Sequence, residues 1–188
     1  MRTLLNLPNI LTFARIAAIP VFVVVFYLPM PWTNEAATVL FTIAAVTDWV
    51  DGYLARKWKQ TSAFGAFLDP VADKLMVAVV LVLLVQREAT PWLAIPAAVI
   101  IGREIAVSAL REWMAELGER AQVAVSVVGK FKTTAQMIAL ILLVYRDDIW
   151  IFPTEIVGYV MLYIAAGLTL WSMILYLQAA LPMFLGKR

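Results

Sequence analysis

The sequence predicts an all-α integral membrane protein with six transmembrane helices. Three observations lead there. First, 63% of the 188 residues are hydrophobic and only 15% are charged, with a mean hydropathy of +0.87. Soluble domains run about 45–50% apolar and about 25% charged. A soluble fold of this length cannot hide so much apolar surface, so the solvent is a bilayer. Second, a spanning helix with its turn takes roughly 20–30 residues, which divides the chain into about six spans. Third, six apolar stretches are present, at 10–30, 34–56, 68–86, 91–112, 122–145 and 155–181. The chain reads as a single membrane domain, 1–188, with no room for a second, soluble one.

The elements follow in order. MRTLLNLP is a short amphipathic lead. Arg15 interrupts the first apolar stretch, and no small-residue cleavage site follows Pro29-Met30-Pro31-Trp32, so this stretch reads as a retained span, not a secretory signal. The links 30–34, 87–91 and 146–154 are short, whereas 56–66 and 113–122 are longer. Arg2, Arg15, Arg56, Lys57, Lys59, Lys74, Arg103, Arg111, Arg120, Lys130, Lys132, Lys187 and Arg188 collect on one side, and only Arg87 and Arg146 on the other. That bias makes the first side cytoplasmic, and an even number of spans puts both termini there. Trp32, Trp92 and Trp150 stand at the opposite ends, where interfacial aromatics belong.

Two missing residue types narrow the chemistry. Without cysteine there is no disulfide, no thiolate nucleophile and no zinc–sulfur site. Without histidine a Ser–His–Asp triad is impossible, and any metal must be held by oxygen, which favours magnesium or manganese. The base of an enzyme built this way is a carboxylate or a lysine. A net charge of +2 gives no argument for nucleic-acid binding.

Charged carboxylates inside spans are costly and mark function by default. Asp48 and Asp51 lie near the end of the second helix at i and i+3, and Asp69 and Asp73 open the third at i and i+4. Each pair shares a face. The two helices are consecutive and antiparallel, so all four carboxylates can converge at one depth. Like charges there repel strongly. A pair of divalent cations with oxygen ligands resolves the repulsion. A structural account also exists: Asp69 before Pro70 resembles an N-cap with proline at N1, and Lys74 and Arg56 can neutralise neighbours. It explains single residues better than it explains two spaced pairs. Gly52 removes a side chain where a ligand can approach the backbone, Arg56 can clamp a phosphate, and Ser62 offers a hydroxyl in the linking turn.

Written out, the stretch is Asp48-Trp-Val-Asp51-Gly52-Tyr-Leu-Ala55-Arg56, eight residues, Gly65, three residues, Asp69, three residues, Asp73. It resembles the signature of the CDP-alcohol phosphotransferases, DxxDGxxARx8GxxxDxxxD, at every fixed position. The resemblance implies a two-metal centre of Asp48, Asp51, Asp69 and Asp73 that holds magnesium or manganese. It also implies Asp73 as the general base, and Gly52, Arg56 and Ser62 in contact with the CDP part of the donor. It further implies a homodimer.

The signature does not name the acceptor alcohol. Arg103 and Arg111, about 80° apart around one helix, and Lys130 at the start of the next can form a cationic pocket beside the metals. Such a pocket suits an acceptor that carries a phosphate. The simpler account is that Arg103 pairs near Glu104 while Lys130 and Lys132 reach lipid phosphates. The stretches NLPNILTFAR, GREIAVSALREW and GKFKTTAQM resemble those of the bacterial branch of the family whose acceptor is glycerol 3-phosphate. That resemblance implies transfer of a phosphatidyl group from CDP-diacylglycerol to glycerol 3-phosphate, in the inner membrane, with the active site facing the cytoplasm. Its partners would be the two substrates and membrane lipids. The alternatives are another acceptor (inositol phosphate, serine or phosphatidylglycerol), a divalent-cation transporter, or a non-catalytic scaffold. A transporter needs a polar path across the membrane, and the external halves of these helices contain almost no polar residues.

Overall fold

The apolar stretches form six helices: α1 (Leu7–Phe26), α2 (Thr33–Trp58), α3 (Ala63–Glu88), α4 (Pro91–Glu116), α5 (Val127–Tyr145) and α6 (Thr154–Phe184). The computed structural model describes residues 7–58, 63–116 and 127–184. Among these there is no strand, only an isolated bridge between Ile149 and Phe152.

Local chemistry sets the breaks between helices. α3 closes on Ala89, whose φ of 49° lies in the left-handed region, and Pro91 then opens α4. The α5–α6 link turns through positive φ at Arg146 and Trp150. Thr154 fastens this link to the start of α6. Its hydroxyl donates to the carbonyls of Arg146 and Asp147, and its N–H donates to Asp148 Oδ1 at 3.1 Å.

α1 packs against both α2 and α3, α2 against α5, and α4 against α3 and α6, while α5 and α6 share the most extensive contact. Phe22, Phe41, Leu81, Leu84, Leu93, Ile100, Leu140 and Leu162 are fully buried at the centre. A Cβ on Gly158 would meet Leu143 Cγ at 2.9 Å, so glycine is what lets α5 and α6 approach there. The outward faces are apolar as well: Val24, Ile43, Val82, Ile105, Phe131 and Val160 are all exposed. Helices apolar on every side suit a lipid solvent.

Pro91–Glu116 and Thr154–Gln178 are long and apolar enough to cross a membrane, and Ile10–Phe26 and Phe131–Tyr145 are shorter apolar runs. α2 and α3 carry the aspartates and basic residues of the signature, which lower their hydropathy. Away from those aspartates, Arg87 at the end of α3 donates to the Leu143 carbonyl of α5 at 2.6 Å and lies over the Phe26 ring of α1. The exposed Trp32, Trp92 and Trp150 lie at or beside the helix ends on this side.

One boundary differs from the sequence reading in a way that affects the site. α3 begins at Ala63, not near residue 68, so Asp69 stands inside the helix and does not cap it. The N-cap account of Asp69 therefore fails.

Candidate active site

The signature spans the end of α2 and the start of α3. Asp48, Asp51, Gly52 and Arg56 lie on α2, and Gly65, Asp69 and Asp73 on α3. Spacings of three and four residues keep each aspartate pair on one helix face. The side chains of Asp51, Arg56 and Asp69 lie outside the described residues, as does Ser62 altogether; of Gly52 only the place on α2 is described. Among the described side chains, Asp48 and Asp73 are the members of the set whose positions can be compared.

They are brought together by a residue from a third helix. Arg15 of α1 places Nη1 2.6 Å from Asp48 Oδ1 and also donates to Asp73 Oδ1. The Arg15 side chain is 2% exposed, whereas each carboxylate is 37% exposed. The arginine therefore approaches from the buried side and the carboxylates stay partly open. α1 can supply it because that helix packs on both α2 and α3. The sequence reading used Arg15 as an interruption of an apolar stretch and in the charge count, and gave it no role toward the aspartates. Its cost in that setting was the signal that it had a partner.

A second polar cluster lies between α4, α5 and α6. Arg103 Nη1 donates to Glu104 Oε1 at 2.9 Å, and Arg103 Nη2 donates to Ser172 Oγ of α6 at the same distance. Arg111 Nη2 donates to the Tyr176 hydroxyl at 2.8 Å. Both guanidinium groups face the Tyr176 ring, at 5.9 and 5.1 Å from its centroid. The two arginines singled out from the sequence thus share one aromatic partner on α6. Lys130 lies on α5, with its side chain outside the described residues. Lys132 does not reach outward as the simpler account supposed. It is buried and its Nζ lies 2.7 Å from Glu104 Oε1. Glu104, Lys132, Ser172 and Tyr176 were not among the sequence-derived site residues. Glu104 and Lys132 were visible as charges inside an apolar helix, but nothing in the sequence pointed to Ser172 or Tyr176.

α3 connects the two clusters. Asp73 turns to Arg15, and its neighbour Lys74 donates to Ser108 of α4. Ser108 in turn donates to the Glu104 carbonyl at 2.6 Å. Open carboxylates and a cationic patch can together hold metal ions and phosphate groups.

The profile of the CDP-alcohol phosphatidyltransferase family matches residues 5–171. The chain belongs to that family. Its phosphatidyltransferase relatives include the CDP-diacylglycerol–glycerol-3-phosphate 3-phosphatidyltransferase of Shigella flexneri serotype 5b (strain 8401). The two are 57% identical over 175 residues, covering 93% of this chain and 94% of the relative. The enzyme of the same name from Escherichia coli (strain K12) is 56% identical over the same length and coverage. The family's profile takes in Arg15, both aspartate pairs, the α4 arginines and Lys132.

Proposed function

We infer that this chain transfers the phosphatidyl group of CDP-diacylglycerol to sn-glycerol 3-phosphate, giving phosphatidylglycerophosphate and CMP. The observation that carries this reading is the meeting of Asp48 and Asp73, which Lys74 and Ser108 connect to a cluster holding Arg103, Arg111 and Lys132. One group of residues suits the metal-bound pyrophosphate of the donor. The other suits an acceptor that brings its own phosphate. Identity of 56–57% to relatives named for this reaction supports the choice of acceptor.

The residues fit a divalent metal. The donor set is all oxygen, and the two described carboxylates are partly open and close enough to share one cation. Asp48, Asp51, Asp69 and Asp73 would hold two magnesium or manganese ions, which neutralise the pyrophosphate and the leaving CMP when bound. Gly52, Arg56 and Ser62 seat the CDP part. Arg103, Arg111 and Lys130 seat the acceptor phosphate. The acceptor hydroxyl attacks the phosphorus that carries the lipid, its proton passes to Asp73, and the bond to CMP breaks. Arg15 engages Oδ1 of Asp73, and a carboxylate has a second oxygen for this task.

The whole chain forms one membrane domain, 1–188, with six spans and both termini in the cytoplasm. The Lys and Arg asymmetry supports that orientation. Lipid tails then enter sideways from the bilayer, and glycerol 3-phosphate arrives from the cytoplasmic side of a bacterial inner membrane. The working unit is a homodimer. The test offers purified protein CDP-diacylglycerol with glycerol 3-phosphate, inositol phosphate, serine or phosphatidylglycerol, and measures CMP release. Release with glycerol 3-phosphate alone supports the reading. Release with another alcohol changes the acceptor. Metal flux into sealed vesicles without CMP release would make the chain a transporter.

A further inference from the structure

A charged guanidinium buried in an apolar helix is stable only when paired. Arg15 meets that condition in a specific way. A single nitrogen, Nη1, donates to Oδ1 of Asp48 and to Oδ1 of Asp73. The two acceptors come from different helices, α2 and α3, and the donor from α1. Two hydrogen bonds to one nitrogen keep the two oxygens within about 6 Å of each other. A divalent ion with oxygen ligands at about 2.0–2.6 Å bridges a similar gap. The guanidinium therefore lies between the same carboxylates that a metal ion would join.

We propose that Arg15 is a tethered cation that stands in for a divalent ion between Asp48 and Asp73 and competes with it for their oxygens. This rests on the reading of the aspartates as metal ligands. Two consequences follow. Without metal, Arg15 neutralises carboxylates that would otherwise repel across the α2–α3 pair, so the ion-free protein keeps its fold. With metal, a positive charge beside the site and hydrogen bonds to its oxygens hold the affinity down. The site then takes up and releases ions readily, as suits an enzyme whose charged substrate and product each alter the ligand set.

The experiment measures manganese binding by calorimetry and thermal stability with and without chelator, on purified protein in detergent with no substrate. Arg15→Gln keeps polarity and removes the charge. It should bind manganese about tenfold or more tightly than wild type, since a unit charge about 5 Å from a divalent ion has at least that effect even at high dielectric. Chelator should lower its melting midpoint more than it lowers that of wild type. Arg15→Lys retains the charge and should behave like wild type. Unchanged or weaker binding in Arg15→Gln, with wild type binding normally, overturns the proposal alone. The same holds if Arg15→Lys behaves like Arg15→Gln. A wild-type protein that binds no manganese overturns the metal reading and the proposal with it. Should Arg15→Gln fail to fold, Arg15→Gln combined with Asp48→Asn decides. Losing one carboxylate lowers the repulsion that the cation had offset, so the double variant should be more stable than Arg15→Gln. A double variant no more stable than Arg15→Gln overturns the proposal.

Discussion

Lys132 Nζ lies 2.7 Å from Glu104 Oε1, and this pair joins α5 to α4 beside the two arginines of the cationic cluster. Both side chains are mostly buried, and Glu104 also accepts from Arg103. One carboxylate therefore fixes two cations from two helices. Its charge leaves the cluster net positive without leaving either cation unmatched.

Removing Lys132 takes one of two cations from Glu104 and leaves Arg103 beside it. Lys132→Met keeps most of the side-chain length and deletes the charge. A hydrogen bond between charged groups contributes about 1.5–3 kcal/mol. At about 2–4 °C per kcal/mol for a chain of this size, the thermal midpoint should fall by about 3–12 °C. Glu104→Gln should fall at least as far, since it leaves two buried cations without their countercharge. Thermal unfolding in detergent measures both. An unshifted Lys132→Met would mean that the pair contributes nothing to the fold.

Arg111 and Tyr176 allow the acceptor pocket to be tested separately from stability. The Arg111 hydrogen bond to Tyr176 is exposed, so the arginine can turn to a ligand at little cost. Arg111→Ala should raise the KM for glycerol 3-phosphate by about 10–150-fold, the scale of a lost charged hydrogen bond. The KM for CDP-diacylglycerol should move far less. Tyr176→Phe keeps the ring under both guanidinium groups and removes only the hydroxyl. Its effect on the acceptor KM should be about 2–10-fold. Steady-state kinetics with each substrate varied in turn gives both values. Equal changes for both substrates would place Arg111 in a folding or lipid-contact role.

These residues also mark where the sequence could and could not be read. Composition and six apolar runs were enough for an all-helical fold, because a lipid solvent makes both the inner and outer faces of helices apolar. The aspartate spacing was legible because helical periodicity alone puts i, i+3 and i+4 on one face. Contacts between helices distant in sequence were not legible. Arg15 reaches Asp48 and Asp73 across 33 and 58 residues, and Arg111 reaches Tyr176 across 65. No periodicity encodes which face of α1 meets α3, or which tyrosine of α6 meets α4. The start of α3 was misplaced because Asp69-Pro70 has the chemistry of a helix start, while the residues before it, from Ala63 onward, continue the helix.

Activity should require a divalent cation. With no histidine or cysteine in the chain, the ligands are oxygens, and magnesium or manganese should restore what a chelator abolishes. Asp48→Ala removes an anionic ligand and a partner of Arg15 together. Activity and manganese binding should fall in parallel. CMP release measured across a metal titration decides this, and full turnover in metal-free buffer would end the two-ion reading.

In the proposed transfer, Asp73 takes the proton of the acceptor hydroxyl. It stands one helical turn from Asp69, and its carboxylate is partly open while Arg15 holds its Oδ1. The cations that the aspartates would hold make a nearby hydroxyl more acidic, so a carboxylate suffices as its base. Asp73→Asn keeps the size and one oxygen for Arg15 or a metal, and it removes the proton acceptor. The kcat should fall by about 10²–10⁴-fold, the usual scale for loss of a general base. Binding of CDP-diacylglycerol should survive, because Gly52, Arg56 and the other three aspartates are untouched. Two measurements on the folded variant separate the roles: turnover, and donor binding by calorimetry. Lost turnover with retained binding is the result expected of the base. Near-normal turnover would remove Asp73 from that role, and lost donor binding would make it chiefly a metal ligand.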